Sequence, residues 1–223
     1  MKTYFNSTIF RKTLASLSGC FLVLFLVGHL VGNLQLFISG ETGQKQFNQY
    51  ALFMTTNPVV NILSLITYSS IILHIVLTFY LTIQSKNARP IKYAVPNRIT
   101  NSSWASNNMA VLGTLLLFFL VIHLRSFWYE MHFGSIKLDP WGNKDLHTVT
   151  VTAFNELWYV LIYVLSMIVL GFHLKHGIES AFQTLGIRTR KYSSVIKNLT
   201  TGLVLLIPTL FASITIYIYI NSL

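Results

Sequence analysis

The sequence predicts an all-α protein: an integral membrane bundle of five transmembrane helices, N-terminus cytoplasmic and C-terminus outside. Three observations predict it. Of 223 residues, 53% are hydrophobic and 10% charged, with mean hydropathy +0.58, where a soluble domain carries about 25% charged residues. Five segments are long and apolar enough to cross a bilayer core of about 30 Å, which takes roughly 20 residues of helix. The basic residues also alternate between connections in the manner of a multi-pass chain.

The spans cover 14–39, 59–84, 105–128, 156–183 and 199–220, and the chain, 1–223, reads as a single membrane domain. The first lacks a small-residue cleavage site and is long enough to span, so it reads as a helix and not a removable leader. The N-terminal segment and the second and fourth loops carry eleven basic residues: Lys2, Arg11, Lys12, Lys86, Arg89, Lys92, Arg98, Arg188, Arg190, Lys191 and Lys197. The first and third loops carry three, Lys45, Lys137 and Lys144. That bias sets the orientation. Trp104, Trp128, Tyr129, Trp158, Tyr217 and Tyr219 lie near span ends, as interfacial aromatics do. Residues 85–104 read as a polar loop broken by Pro90 and Pro96, and 134–151 as a second, with Asp139-Pro140 marking a turn.

The net charge of +10 fits basic loops against an anionic membrane surface and not nucleic acid. The single cysteine, Cys20, excludes an internal disulfide and a cysteine-ligated iron–sulfur cluster. No Gly-rich dinucleotide or phosphate loop is present.

Seven histidines remain, and four of them, His29, His74, His123 and His173, fall one in each of the first four spans. Ionisable side chains inside spans are costly and mark function. Depth groups them. His29 and His123 come late in outward-running spans and His74 and His173 late in inward-running ones. At 1.5 Å per residue this makes two levels, an outer and an inner pair, about 10–15 Å apart. Two facing imidazoles suit a haem iron with two axial histidines, a flat apolar cofactor between helices. Zinc or copper would want a third or fourth ligand. No carboxylate lies at matching depth: Glu41, Glu130, Asp139, Asp145, Glu156 and Glu179 all fall in loops or at span ends. Arg125 and Lys175 each follow a histidine by two residues, placed equally for pairing with haem propionates or for snorkelling to headgroups. His176 stands where it could contact a propionate or cap the inner site. Gly19, Gly28, Gly32 and Gly171 allow close approach of either a macrocycle or a helix.

The run SGCFLVLFLVGHLVGNLQLF around His29 resembles the first span of the di-haem cytochrome b anchor of succinate dehydrogenases and fumarate reductases. SSWASNNMAVLGTLLLFFLVIHLRSFW around His123 resembles that family's third span, and GFHLKHGIESAFQTLG around His173 its fourth. The resemblance implies a subunit of a succinate:quinone oxidoreductase in the bacterial cytoplasmic (inner) membrane. It implies two haem b groups, His29 with His123 and His74 with His173, and a flavoprotein and an iron–sulfur partner subunit on the cytoplasmic side. The substrate would be a membrane quinone, menaquinone by resemblance. The chain alone would oxidise no succinate. His173, not His176, matches the family's ligand by its distance to Gly186. Some such fumarate reductases carry a carboxylate two residues before the fourth ligand. Gly171 stands there, so that proton pathway is not carried over. Asn33, Gln35, Glu130, His132 and Glu156 surround the outer site as candidate quinone or proton-exchange groups, and equally as ordinary helix-end residues. Two other readings stand beside this one: the haem b subunit of another respiratory reductase, and a metal or proton transporter.

Overall fold

The computed structural model describes residues 7–88 and 103–223. Lys2, Arg89, Pro90, Lys92, Pro96 and Arg98 lie outside the described residues. Helix α1 is Thr8–Asn33, extended by a 3₁₀ turn at Leu34–Phe37. Then come α2 (Gly40–Thr56), α3 (Pro58–Asn87), the short α4 (Trp104–Asn107) and α5 (Met109–His123). A π-helical stretch, Leu124–Tyr129, joins α5 to α6 (Glu130–Phe133). The chain continues with α7 (Leu146–Phe154), α8 (Leu157–Thr184) and α9 (Ser193–Ile220).

Five helical segments are long and apolar enough to cross a membrane: Thr8–Phe37, Pro58–Asn87, Met109–Phe133, Leu157–Thr184 and Ser193–Ile220. The protein is an all-α membrane bundle. Its outward faces are strongly apolar, with Leu24, Ile62, Leu65, Phe79, Phe118, Leu165 and Leu205 exposed; such a surface suits the lipid that five spans imply.

Local chemistry places the helix starts. Ser7 caps α1 by accepting from the Phe10 N–H at 3.1 Å. Asn57 caps α3 ahead of Pro58, whose fixed φ suits the first helical position. At the other end of α8, Gly186 takes φ 72° and ends the helix.

The third span differs from the expected one. It starts four residues later and runs through Trp128 to Phe133, because the aromatic run continues as π-helix. The expected polar loop at 134–151 is partly helix. Asp139 does make the turn, accepting from the N–H groups of Trp141 (3.0 Å) and Asn143 (2.8 Å). Asp145 then caps α7 by accepting from the Thr148 N–H at 3.1 Å.

α8 packs along α1, α5 and α9, and α1 packs along α3. The end where α1 begins is here the near end and the opposite one the far end. At the far end α2 and α7 pack together as a cap. Asn48, 1% exposed, is its centre. Its amide donates to Asp139 (3.1 Å) and Asp145 (2.9 Å), and its oxygen accepts from the His147 N–H at 2.9 Å. Breaking such a buried network costs about 1–3 kcal/mol for each group left unpaired.

Candidate functional site: two histidine pairs

The four intramembrane histidines meet in twos, in the combination that depth predicts. The rings of His29 on α1 and His123 at the end of α5 have centroids 5.7 Å apart at 89°. Those of His74 on α3 and His173 on α8 stand 6.4 Å apart at 72°. An imidazole nitrogen lies about 2 Å from a bound metal and the ring centre about 1 Å further, so one metal between two rings separates their centroids by roughly 6 Å. Both pairs have that spacing.

Two glycines fix the levels. A Cβ at Gly19 would lie 3.1 Å from His74 Cε1, and one at Gly113 would lie 3.8 Å from His173 Cε1. Gly19 precedes His29 by ten residues, and Gly113 precedes His123 by ten. At 1.5 Å per residue, α1 and α5 each separate the two levels by about 15 Å.

Near-end geometry rests largely on backbone. His74 donates from Nδ1 to the Ala15 carbonyl at 3.2 Å, with Ser18 Oγ at 3.4 Å. His173 Nδ1 is buried with no hydrogen-bond partner among the described residues. Among those residues no hydrogen bond engages Nε2 of any of the four. A carbonyl-held imidazole with a nitrogen left over, as at His74, is the arrangement of a metal-ligating histidine. No third His, Cys, Asp or Glu joins either pair among the described residues. The donor set is therefore two imidazoles per level, which fits axially ligated haem iron and falls short of a zinc site.

The far-end pair sits among rings. Phe25 stacks on His29 at 5.4 Å and 14°, and Phe211 lies 5.6 Å away. Phe119 and Phe127 flank His123 at 5.8 and 5.4 Å. Tyr163 on α8 reaches His123 Nδ1 with its hydroxyl at 3.0 Å. The π-helical stretch begins one residue past His123; such segments recur at functional sites.

The remaining predicted residues are scattered. Arg125 ion-pairs with Glu130 and lies over the Tyr129 ring at 4.6 Å. Lys175 is exposed and His176 half-buried on the last turns of α8. Asn33 donates to the His29 carbonyl at 2.8 Å and comes within 3.4 Å of its Nδ1. Gln35 donates to the Gly32 carbonyl at 3.2 Å. The exposed His132 stacks on Trp128 at 4.6 Å, and Glu156 is exposed at the start of α8. Two cavities at the bundle ends, one lined by Glu41, Gln44 and His147 and the other by Tyr80, Gln84 and Asn87, include none of the five quinone candidates. Gly171 faces Pro208 on α9, where a Cβ would come to 3.8 Å, so its neighbour is a helix. Gly32 makes room for the Tyr50 ring.

Sequence reasoning passed over Gly113, Tyr163, Ala15 and Ser18. A glycine ten residues before each of two span histidines was the available signal for Gly113. No family model matches the chain, and neither a curated protein nor a solved structure matches it.

Proposed function

We propose that the chain is the di-haem cytochrome b membrane anchor of a succinate:quinone oxidoreductase of a bacterial cytoplasmic membrane. His29 and His123 would hold one haem and His74 and His173 the other. The observation that carries this reading is the pairing itself: four rings from four helices meet in two couples at metal-bridging distance. When bound, the two haems supply one-electron carriers in series between the iron–sulfur partner and quinone. The residues do the rest. The Ala15 carbonyl keeps the proton of His74 on Nδ1, which leaves the Nε2 lone pair for ligation. The apolar helices exclude water from both levels. The basic connections face the cytoplasmic side, where they suit anionic lipid and an acidic surface on a soluble partner. Arg125 would have to exchange Glu130 for a propionate, while Lys175 makes no ion pair among the described residues.

The test is a reduced-minus-oxidised spectrum of the purified full chain with a haem-to-protein ratio. The expected ratio is two. His29→Ala and His123→Ala should each remove one and the same haem, and His74→Ala and His173→Ala the other. A chain without haem, or a variant pattern that crosses the couples, overturns the reading. Co-purification with a flavoprotein and an iron–sulfur protein separates this anchor from the haem subunit of another reductase.

A further inference from the structure

The rings around the far-end pair are phenylalanine except at one place. Tyr163 is 5% exposed and walled by Phe119 and Phe154, each with its ring centre 4.9 Å away and nearly perpendicular. Phenylalanine would pack there equally well. A hydroxyl in that setting is costly unless it is paired. Its partners are two: His123 Nδ1 at 3.0 Å, and the hydroxyl of Tyr159, one turn back on α8, at 3.2 Å. Tyr159 is also 5% exposed. We propose that Tyr163, backed by Tyr159, is a positioning residue for His123: it locks the ring's orientation and sets how strongly it donates to iron. This inference rests on the haem reading above.

Proton placement follows from ligation. If His123 binds through Nε2, then Nδ1 carries the proton and donates to Tyr163 Oη. The Tyr163 hydroxyl keeps its own proton, which it can donate to Tyr159 Oη at 3.2 Å. A ligating imidazole whose other N–H is hydrogen-bonded is a more basic ligand. More basic ligation stabilises ferric iron and lowers the haem's potential. His74 has the same bond to a backbone carbonyl, which no side-chain substitution removes. The Tyr163 bond is made by a side chain that can be exchanged, whereas the Ala15 carbonyl cannot be, so the two levels should respond separately to Tyr163→Phe.

The experiment is a potentiometric titration of Tyr163→Phe in the full chain, with the haem-to-protein ratio measured alongside. Each haem is identified by its absence from His123→Ala or His74→Ala. Both haems should be retained. The midpoint potential of the His123-dependent haem should rise, and that of the His74-dependent haem should stay put. Tyr159→Phe should move the same haem the same way by less. If Tyr163→Phe fails to keep its far-end haem, Tyr159→Phe supplies the measurement. Two retained haems with neither potential moved, or both moved alike, overturn the inference and leave the haem reading intact. A wild-type chain without haem overturns the haem reading instead.

Discussion

His29 and His123 lie in a shell of side-chain rings, while His74 and His173 lie against backbone and small residues. At the far end Phe25, Phe119, Phe127, Phe211 and Tyr163 surround the two imidazoles. At the near end the Ala15 carbonyl, Ser18 and the bare backbone of Gly19 and Gly113 take that place. A histidine pair can thus be oriented in two physically different ways. Rings orient by filling volume, and polar contacts come from Tyr163 to His123 and from Asn33 to His29. Backbone orients by letting a helix come close enough for its carbonyl to reach the imidazole. The first way tolerates change in the helix backbone and depends on aromatic side chains. The second depends on the close approach of helices at Gly19 and Gly113.

The largest expected effect breaks that contrast directly. Gly19→Leu puts side-chain atoms where the His74 ring lies, since even the Cβ would stand 3.1 Å from it. The His74-dependent haem should be lost, and the haem-to-protein ratio should fall from two to one. Gly28→Leu, beside His29, meets nothing within 4 Å of its Cβ and should keep both haems. Equal losses in the two variants would mean that the glycines serve general helix packing.

A smaller effect comes from pH and belongs to the far end. Phe154 of the cap touches Phe127 at 6.0 Å and Tyr163 at 4.9 Å, so the cap abuts the His123 shell. Burial pushes the His147 imidazole below its ordinary 6.5, and the Asp145 charge opposes this only in part. Burial works against the charge on Asp139, yet donors from Asn143, Asn48 and Trp141 outweigh it and hold its pKa below 3.8. Burial likewise opposes the charge on Asp145, where Thr148, Asn48 and Gln44 outweigh it. The sign is the same for all three. The unfolded cap binds more protons, so stability rises with pH. The His147 contribution is complete above pH 6.5 and fades as pH falls through the folded value. The aspartate contributions are complete above pH 3.8 and fade below it. Amide exchange in α2 and α7, corrected for intrinsic rate, should accelerate on acidification before exchange in α8 does. Uniform protection of the cap from pH 8 to pH 3 would show that the cap draws nothing from these groups.

Much of this was legible in the sequence, and the rest failed for identifiable reasons. Twenty-residue apolar runs admit one physical outcome in a bilayer, so five spans could be counted. The pairing followed from depth, because antiparallel helices bring a late position on one level with a late position two helices on. The end of the third span was misplaced because Trp128 and Tyr129 look like an interfacial belt, and a π-helical stretch has no sequence period of its own. The cap was invisible for a different reason. Asn48 reads as one amide in the polar run GQKQFNQY, and its partners Asp139 and Asp145 are about ninety or more residues away in the chain. Tyr163 was passed over because its partner His123 is forty residues away in the chain, and no local pattern links the two.

The smallest expected effect is at Ser18, and it sharpens the comparison. Ser18 is buried and donates to the Ala15 carbonyl at 3.0 Å, the carbonyl that also accepts from His74. Its own approach to His74 Nδ1, 3.4 Å, is at the long limit for a hydrogen bond. The hydroxyl therefore competes with the imidazole for one carbonyl more than it holds the ring. Ser18→Ala removes the competitor and leaves the carbonyl to His74 alone, so both haems should stay. The His74-dependent potential should move slightly downward, opposite in sign to the effect of Tyr163→Phe on the other haem. An upward movement would mean that Ser18 itself carries the imidazole N–H. The near end would then be held by a side chain after all, and the contrast between the two levels would be one of degree.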